Sequence, residues 1–267
     1  MRDLKHQQSK PIEIEIKGRK IGRDNFVFIA GPCTIENYED LLNIASRLKK
    51  IGVNFFRGGA YKMRTSPYNF QGLGQEGLEY LKKVADETGM ISVSEVVAAE
   101  DVELMSKHVD ILQVGTRNMQ NYRLLWKLGK IENPIILKRG MSSTIEEWLL
   151  AAEHILEAGN PNVILCERGI RTFENFTRHT LDISAIPAVK SLSNLPIIVD
   201  PSHSSGRREM IKSLSWAAMA AGADGLLIET HFDPDTTICD SEQTIDFEIL
   251  AEILKKKDQL LDLWVKK

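Results

Sequence analysis

PIILKRGMSSTIEEWLLAAEHILEAGNPNVILCERG, Pro134 to Gly169, holds one complete strand–helix–strand unit. Its ends, PIILKRG (Pro134 to Gly140) and NVILCERG (Asn162 to Gly169), are short apolar runs that break into charge. Between them a serine pair and Thr144-Ile-Glu-Glu open a segment of helical periodicity, Thr144 to Ala158, which stops at Gly159. A Ser/Thr cap with Glu behind it and a glycine at the far end satisfy the orphan backbone groups of a helix. Strands that are apolar throughout belong to a parallel sheet covered by helices, not to an alternating, half-solvated one.

The same unit recurs outward from this stretch in both directions. Further apolar runs are FVFIA (Phe26 to Ala30), VNFFR (Val53 to Arg57), MISVSE (Met90 to Glu95), DILQVG (Asp110 to Gly115), PIIVD (Pro196 to Asp200) and DGLLIET (Asp224 to Thr230). Helical periodicity predicts intervening helices over Tyr38–Lys50, Glu76–Thr88, Ala99–Lys107, Tyr122–Leu128, Ser184–Leu192, Arg207–Ala221 and Asp246–Trp264. Eight such units in 267 residues point to one closed (β/α)8 TIM barrel, residues 26–267. Ahead of it, IEIEIKGRKI (Ile12 to Ile21) alternates apolar and charged residues around Lys-Gly, which predicts a β-hairpin in an extension spanning residues 1–25.

A formal net charge of -3 gives no electrostatic case for nucleic acid or an anionic membrane, so any positive region must be local. The three cysteines, Cys33, Cys166 and Cys239, form no CxxC pair, which excludes a zinc-finger pattern and fits a reducing cytoplasm. The polar start MRDLKHQQSK lacks a signal peptide's apolar region, and no apolar run reaches membrane-spanning length.

Charges fall regularly where the strands end, and in a barrel of this kind the C-terminal strand ends form the active face. One constellation is Cys33, His203, Glu229 and Asp240: a thiolate, an imidazole and two carboxylates suit a divalent Mn, Fe, Co or Zn ion. The competing reading makes Cys33 a core thiol and gives His203, in DPSHSSGRR, a capping or phosphate-binding role. The second constellation is basic: Arg57, Lys62, Arg64, Arg117, Lys138 and Arg168. Converging cations cost several kcal/mol each if desolvated without partners, so anionic ligands are implied. The alternative is a rim of salt bridges to Glu95, Glu167 and Asp200.

Seven motifs in order carry a family resemblance: AGPCTIE (Ala30 to Glu36), RGGAYKMRTSPYNFQGLG (Arg57 to Gly74), QVGTRNMQNYRLL (Gln113 to Leu125), LKRG (Leu137 to Gly140), ERGIRTFE (Glu167 to Glu174), DPSHSSGRR (Asp200 to Arg208) and IETH (Ile228 to His231). Together they closely resemble the 3-deoxy-D-arabino-heptulosonate 7-phosphate (DAHP) synthases of the short type I-beta group. The resemblance implies metal-dependent condensation of phosphoenolpyruvate with D-erythrose 4-phosphate, the first step of the shikimate pathway. It implies Cys33, His203, Glu229 and Asp240 as metal ligands, and Arg57, Lys62, Arg117, Lys138 and Arg168 as the phosphoenolpyruvate site. Arg64 and Thr65 match the erythrose 4-phosphate phosphate site, and Lys62, Glu95 and His203 are the expected catalytic residues, with Glu95 or Lys62 holding the attacking water.

Met63 departs from the pattern, standing where the family has proline, which predicts a looser aldose loop or no effect. Two readings stand for Cys239: a spectator thiol, or a partner of Cys33 in an oxidative disulfide. The nearest rival activity is that of 3-deoxy-octulosonate 8-phosphate synthase, whose KANRSS-like stretch differs from KMRTS here. A noncatalytic sugar-phosphate-binding barrel is the reading from another class. Family members are dimers or tetramers, so a homo-oligomer is expected, and Trp126 and Trp148 are candidates for an interface or for packing on the barrel. About two dozen residues ahead of the barrel are too few for a fused regulatory domain, which leaves a separate regulatory partner open.

Overall fold

The lysine–glycine pair of the N-terminal segment adopts left-handed backbone, with φ 47° at Lys17 and 74° at Gly18. That geometry matches the twist of two antiparallel strands joined by a two-residue loop. Strands β1 (Ile14–Ile16) and β2 (Arg19–Ile21) pair accordingly, Ile14 opposite Ile21. The computed structural model describes residues 11–22 and 25–265; residues 1–10, 23 and 24 of the expected extension and 266–267 of the barrel lie outside the described residues.

Eight parallel strands follow and close on themselves. They are β3 (Val27–Gly31), β4 (Phe55–Arg57), β5 (Ile91–Val96), β6 (Ile111–Val114), β7 (Ile135–Lys138), β8 (Val163–Glu167), β9 (Ile197–Val199) and β10 (Gly225–Glu229). Strand β10 returns to pair with β3 from Gly225 opposite Val27 to Glu229 opposite Gly31. Helices α1 (Tyr38–Lys50), α2 (Gln75–Thr88), α3 (Val102–Met105), α4 (Tyr122–Leu128), α5 (Ile145–Ala158), α6 (Ala185–Leu192), α8 (Arg208–Ala220), α9 (Phe247–Lys255) and α10 (Lys257–Val265) accompany the strands. A short helix, α7 (Pro201–Ser205), sits between β9 and α8.

Cap chemistry placed these helices. Thr144 and Glu147 make both bonds of a capping box at the start of α5, and the Asn37 and Asn121 side chains cap α1 and α4. The expected single helix Asp246–Trp264 is divided at Lys256, and α7 was not anticipated.

Two apolar layers result. The outer one seats the helices on the strands. The inner one fills the barrel with Val27, Ile29, Phe55, Ile91, Val93, Ile111, Ile136, Ile164, Cys166, Ile198 and Leu227, and the hairpin contributes Ile14, Ile16 and Ile21 to it. The hairpin enters at the N-terminal ends of the strands: Ile12 N–H donates to the Asn194 carbonyl, and Lys17 pairs at 2.8 Å with Asp110, just before β6. Each fully buried isoleucine contributes roughly 1.5–3 kcal/mol. The hairpin is therefore the floor of the barrel, which leaves the C-terminal mouth for polar side chains. Trp148 belongs to the outer layer: it is fully buried and its indole N–H donates to the Leu137 carbonyl, so packing on the barrel accounts for it and an interface does not. Trp126 is half exposed. Among the described residues, no helix is long and apolar enough to cross a membrane.

Candidate active site

Three neighbouring strands and one loop bring the four candidate ligands together. Cys33 lies just past β3, Glu229 ends β10, His203 is in the single turn α7 after β9, and Asp240 lies in the long loop after β10. One ligand atom from each falls within 4.8 Å of the others. Ligand atoms at about 2.0–2.3 Å from one ion are separated by at most about 4.6 Å, so this group fits a metal with shifts of a few tenths of an ångström.

The electrostatics agree with that use. Asp200 caps α7 by accepting the His203 N–H at 2.9 Å, and the same carboxylate meets His203 Nδ1 at 2.7 Å. That contact puts the ring proton on Nδ1 and leaves Nε2 free, 3.2 Å from Glu229 Oε1. Burial lowers the His203 pKa, although the charges of Asp200 and Glu229 act the other way. Burial favours a protonated Glu229, but His203 and Arg57 prevail and hold its pKa at about 2. Asp240 is likewise kept ionised, against burial, by Lys62 and His203. Burial, then the Glu229 charge, pushes the Cys33 thiol well up. In this state it donates to Asp240 Oδ2 at 2.8 Å, and a cation in the cluster would reverse that preference.

Beside the cluster opens a cavity of about 560 Å³ whose lining includes Lys62, Met63, Arg64, Thr65, Glu95, Arg117, Lys138, Arg168, Arg178, His179, His203 and Asp240. A shallower groove of about 1160 Å³ adjoins it and shares Arg178 and Asp240. Of the expected basic residues, Lys62, Arg64, Arg117, Lys138 and Arg168 face the cavity. Arg57 does not line it: the residue is 6% exposed and its guanidinium donates to Glu229 Oε1 at 2.7 Å. Lys62 reaches the Cys33 sulfur and, at 3.2 Å, Asp240, and the nearby Glu229 and Asp240 carboxylates keep it protonated despite burial.

Lys138 pairs with Asp200 at 2.6 Å, the one bridge of the alternative reading that forms as anticipated. Glu167 is held by Arg139, a residue not foreseen, and Glu95 accepts from the Gln113 amide at 2.9 Å. Gly115 packs against Glu95 so closely that a Cβ there would come within 2.2 Å of its carboxylate. Arg168 is buried, yet among the described residues no carboxylate lies within ion-pair distance; it donates to the carbonyls of Gly169 and His203. Burial lowers its pKa, a penalty that a bound anion would relieve.

The two expected substrate sets touch. Arg117 donates to the Met63 carbonyl at 3.0 Å and approaches the Thr65 hydroxyl at 3.5 Å, so it braces the loop that carries Arg64 and Thr65. Arg64 donates to the sulfur of Cys239 at 2.7 Å, and all three cysteines are free thiols. Sequence reasoning missed Arg178, His179 and Gln243. Only the Asp200-to-His203 spacing of a helix cap carried a local signal for a supporting contact.

Residues 7–263 match the model of the DAHP synthetase I family. The chain belongs to that family. It is 51% identical over 249 residues to the phospho-2-dehydro-3-deoxyheptonate aldolase of Thermotoga maritima, covering 93% of this chain and 74% of that protein. The crystal structure of a Thermotoga maritima DAHP synthase superposes with a TM-score of 0.92 at 49% identity, over 96% of this chain and 75% of the other. The 2-dehydro-3-deoxyphosphooctonate aldolase of Geobacter sulfurreducens is more distant, 34% identical over 263 residues, 91% of this chain and 96% of that protein. DAHP synthetase family membership thus accompanies a closed eight-stranded barrel with a four-donor cluster at its mouth.

Proposed function

We propose that the chain is a DAHP synthase, condensing phosphoenolpyruvate with D-erythrose 4-phosphate and water to DAHP and inorganic phosphate. The observation that carries this reading is the four-donor cluster opening onto a cation-lined cavity, in a chain half identical to a Thermotoga enzyme of that name. In balance, C3 of phosphoenolpyruvate bonds to the aldehyde carbon, the oxygen of water bonds to C2, and the C2–O bond to phosphate breaks with its electron pair leaving on phosphate.

Arg168, with Lys138 and Arg117 around it, binds the phosphate of phosphoenolpyruvate; a buried guanidinium with no carboxylate at ion-pair distance among the described residues is suited to that dianion. Arg64 and Thr65 bind the phosphate of the aldose. Arg57 acts through Glu229, which it holds, and not on the substrate. Lys62 spans the border between cluster and cavity and holds substrate near the reacting carbons. Glu95, pinned by Gln113 and facing the cavity, positions the water and takes its proton.

Cys33, His203, Glu229 and Asp240 hold the metal, and this donor set suits Mn, Fe, Co or Zn. Such an ion supplies Lewis acidity toward the aldehyde oxygen. The catalytic unit is the single barrel, working in the cytoplasm as a homodimer or homotetramer, with half-exposed Tyr122 and Trp126 on α4 available to an interface. Sedimentation of a monomer at micromolar concentration would remove the oligomer from this reading.

The test is phosphoenolpyruvate loss with erythrose 4-phosphate, with arabinose 5-phosphate and with neither, before and after chelation. Turnover with the four-carbon aldose alone, abolished by chelator and restored by metal, is the expected result. Preference for arabinose 5-phosphate would move the chain to the octulosonate activity, and no turnover with either aldose would make it a binding barrel.

A further inference from the structure

Glu229 is fully buried, and its two oxygens are held in different ways. Oε1 accepts from Arg57 and faces His203 Nε2, on the side of the other ligand atoms. Oε2 accepts from the side-chain amide of Gln243. That glutamine is itself buried, and its Oε1 accepts from Arg178 at 3.1 Å. The amide cannot be turned over without setting oxygen against carboxylate and N–H against guanidinium, so its donor is committed to Glu229.

Backbone geometry makes this arrangement local to a ligand. Asp240 takes left-handed φ 56° and opens the single 3-10 turn Ser241–Gln243, closed by Gln243 N–H donating to the Asp240 carbonyl at 3.2 Å. Residues three apart on such a turn eclipse. Asp240 therefore offers a ligand from the same turn whose other end grips Glu229, and Arg178 spans both, 3.6 Å from Asp240.

We propose that Gln243 is a positioning residue for the metal centre, pinning Glu229 Oε2 by an N–H bond so that Oε1 alone is presented to the ion, with Arg178 holding the glutamine in turn. This rests on the reading of Cys33, His203, Glu229 and Asp240 as the metal ligands. Without the amide donor Arg57 alone restrains the carboxylate, which can then turn about that contact or engage through both oxygens, and metal affinity falls. Loss of such a supporting contact typically costs about 10–100-fold in affinity.

The test titrates chelator-stripped full-length protein with Co²⁺, following the thiolate-to-cobalt charge-transfer band and competing with a chromogenic chelator. Gln243→Met, similar in size but with no donor, should raise the Co²⁺ Kd about 10–100-fold while retaining the thiolate band. Gln243→Asn, which withdraws the amide by one methylene, should do nearly the same and carries the test if the methionine variant does not fold. Arg178→Gln, at a partly exposed pair, should raise Kd about 2–5-fold. Cys33→Ser is the control for the underlying reading and should lose the band. If Cys33→Ser weakens Co²⁺ binding while folded Gln243→Met and Gln243→Asn stay within about twofold of the parent, the glutamine proposal is overturned and the metal site stands. If Cys33→Ser leaves Co²⁺ binding unchanged, the metal reading itself fails. A lowered Tm with unaltered Co²⁺ affinity would make Gln243 a packing residue only.

Discussion

The floor and the mouth of the barrel are built from the same eight strands and obey opposite rules. At the floor, Ile14, Ile16 and Ile21 of the hairpin meet Val27, Ile91, Ile111 and Ile198 in an apolar layer. At the mouth, Arg57, Lys138, Glu167, Asp200 and Glu229 are as buried as those isoleucines, and each has an oppositely charged partner. Burial alone does not distinguish a structural region from a chemical one. The difference lies in what removal of a side chain leaves behind, a void at the floor and an uncompensated charge at the mouth.

The sharpest way to break this comparison is at the cluster. Cys33→Ser should lower turnover by about 1,000-fold or more, the several kcal/mol that a Lewis acid supplies, while the thermal midpoint of the chelated protein changes little. At the floor, Ile21→Ala should lower the unfolding free energy by about 2–4 kcal/mol with kcat unchanged at low temperature. Denaturant titration and steady-state kinetics measure both, and a kcat that fell together with stability would show the two ends coupled. Arg168→Gln should reduce kcat/KM for phosphoenolpyruvate by roughly 1.5–3 kcal/mol, about 10–150-fold, through a raised KM; an unchanged KM would take Arg168 out of the proposed phosphate site.

The smallest effect is one of pH. Burial, then the charges of Arg168 and Arg178, lower the His179 pKa to about 4, against about 6.5 for an unfolded histidine. Between those values the unfolded chain binds a proton that the folded chain refuses. This contribution to stability is therefore complete above about pH 6.5 and lost as pH falls toward 4. His179→Asn should flatten the stability profile over that window by roughly 1–3 kcal/mol, whereas the Ile21→Ala deficit should be the same at every pH. Equilibrium unfolding of the chelated, substrate-free protein from pH 7 to 4 measures the slope, and parallel profiles for parent and His179→Asn would refute the assignment.

Regions with local chemistry were legible in the sequence. Helices Tyr38–Lys50 and Tyr122–Leu128 have the expected bounds because Asn37 and Asn121 cap them one residue ahead. The hairpin followed from Lys17-Gly18. Several strands came out shorter than their apolar runs, Val53–Arg57 shrinking to Phe55–Arg57, because pairing register, not hydrophobicity, decides where a barrel strand begins. Helix α7 was hidden because five residues give no periodicity to read. At the mouth, the residues were legible from their place after each strand, but their partners were not. Arg57 with Glu229, Arg64 with Cys239 and Arg178 with Gln243 are joined across long stretches of chain, and only the closed ring brings them together.

That closure has a consequence for folding. Val27 and Gly225, which begin the seam between β3 and β10, are almost as far apart in the chain as any two barrel residues, so this pairing carries the greatest loop-closure cost. The hairpin is made before any barrel strand, yet its isoleucines gain a complete enclosure only when that seam shuts. The donor cluster straddles the same seam, with Cys33 just past β3 and Glu229 ending β10. Opening the ring at this point separates the thiol from the carboxylate, so an ion held between them would act as a clasp on the joint that spans the greatest length of chain.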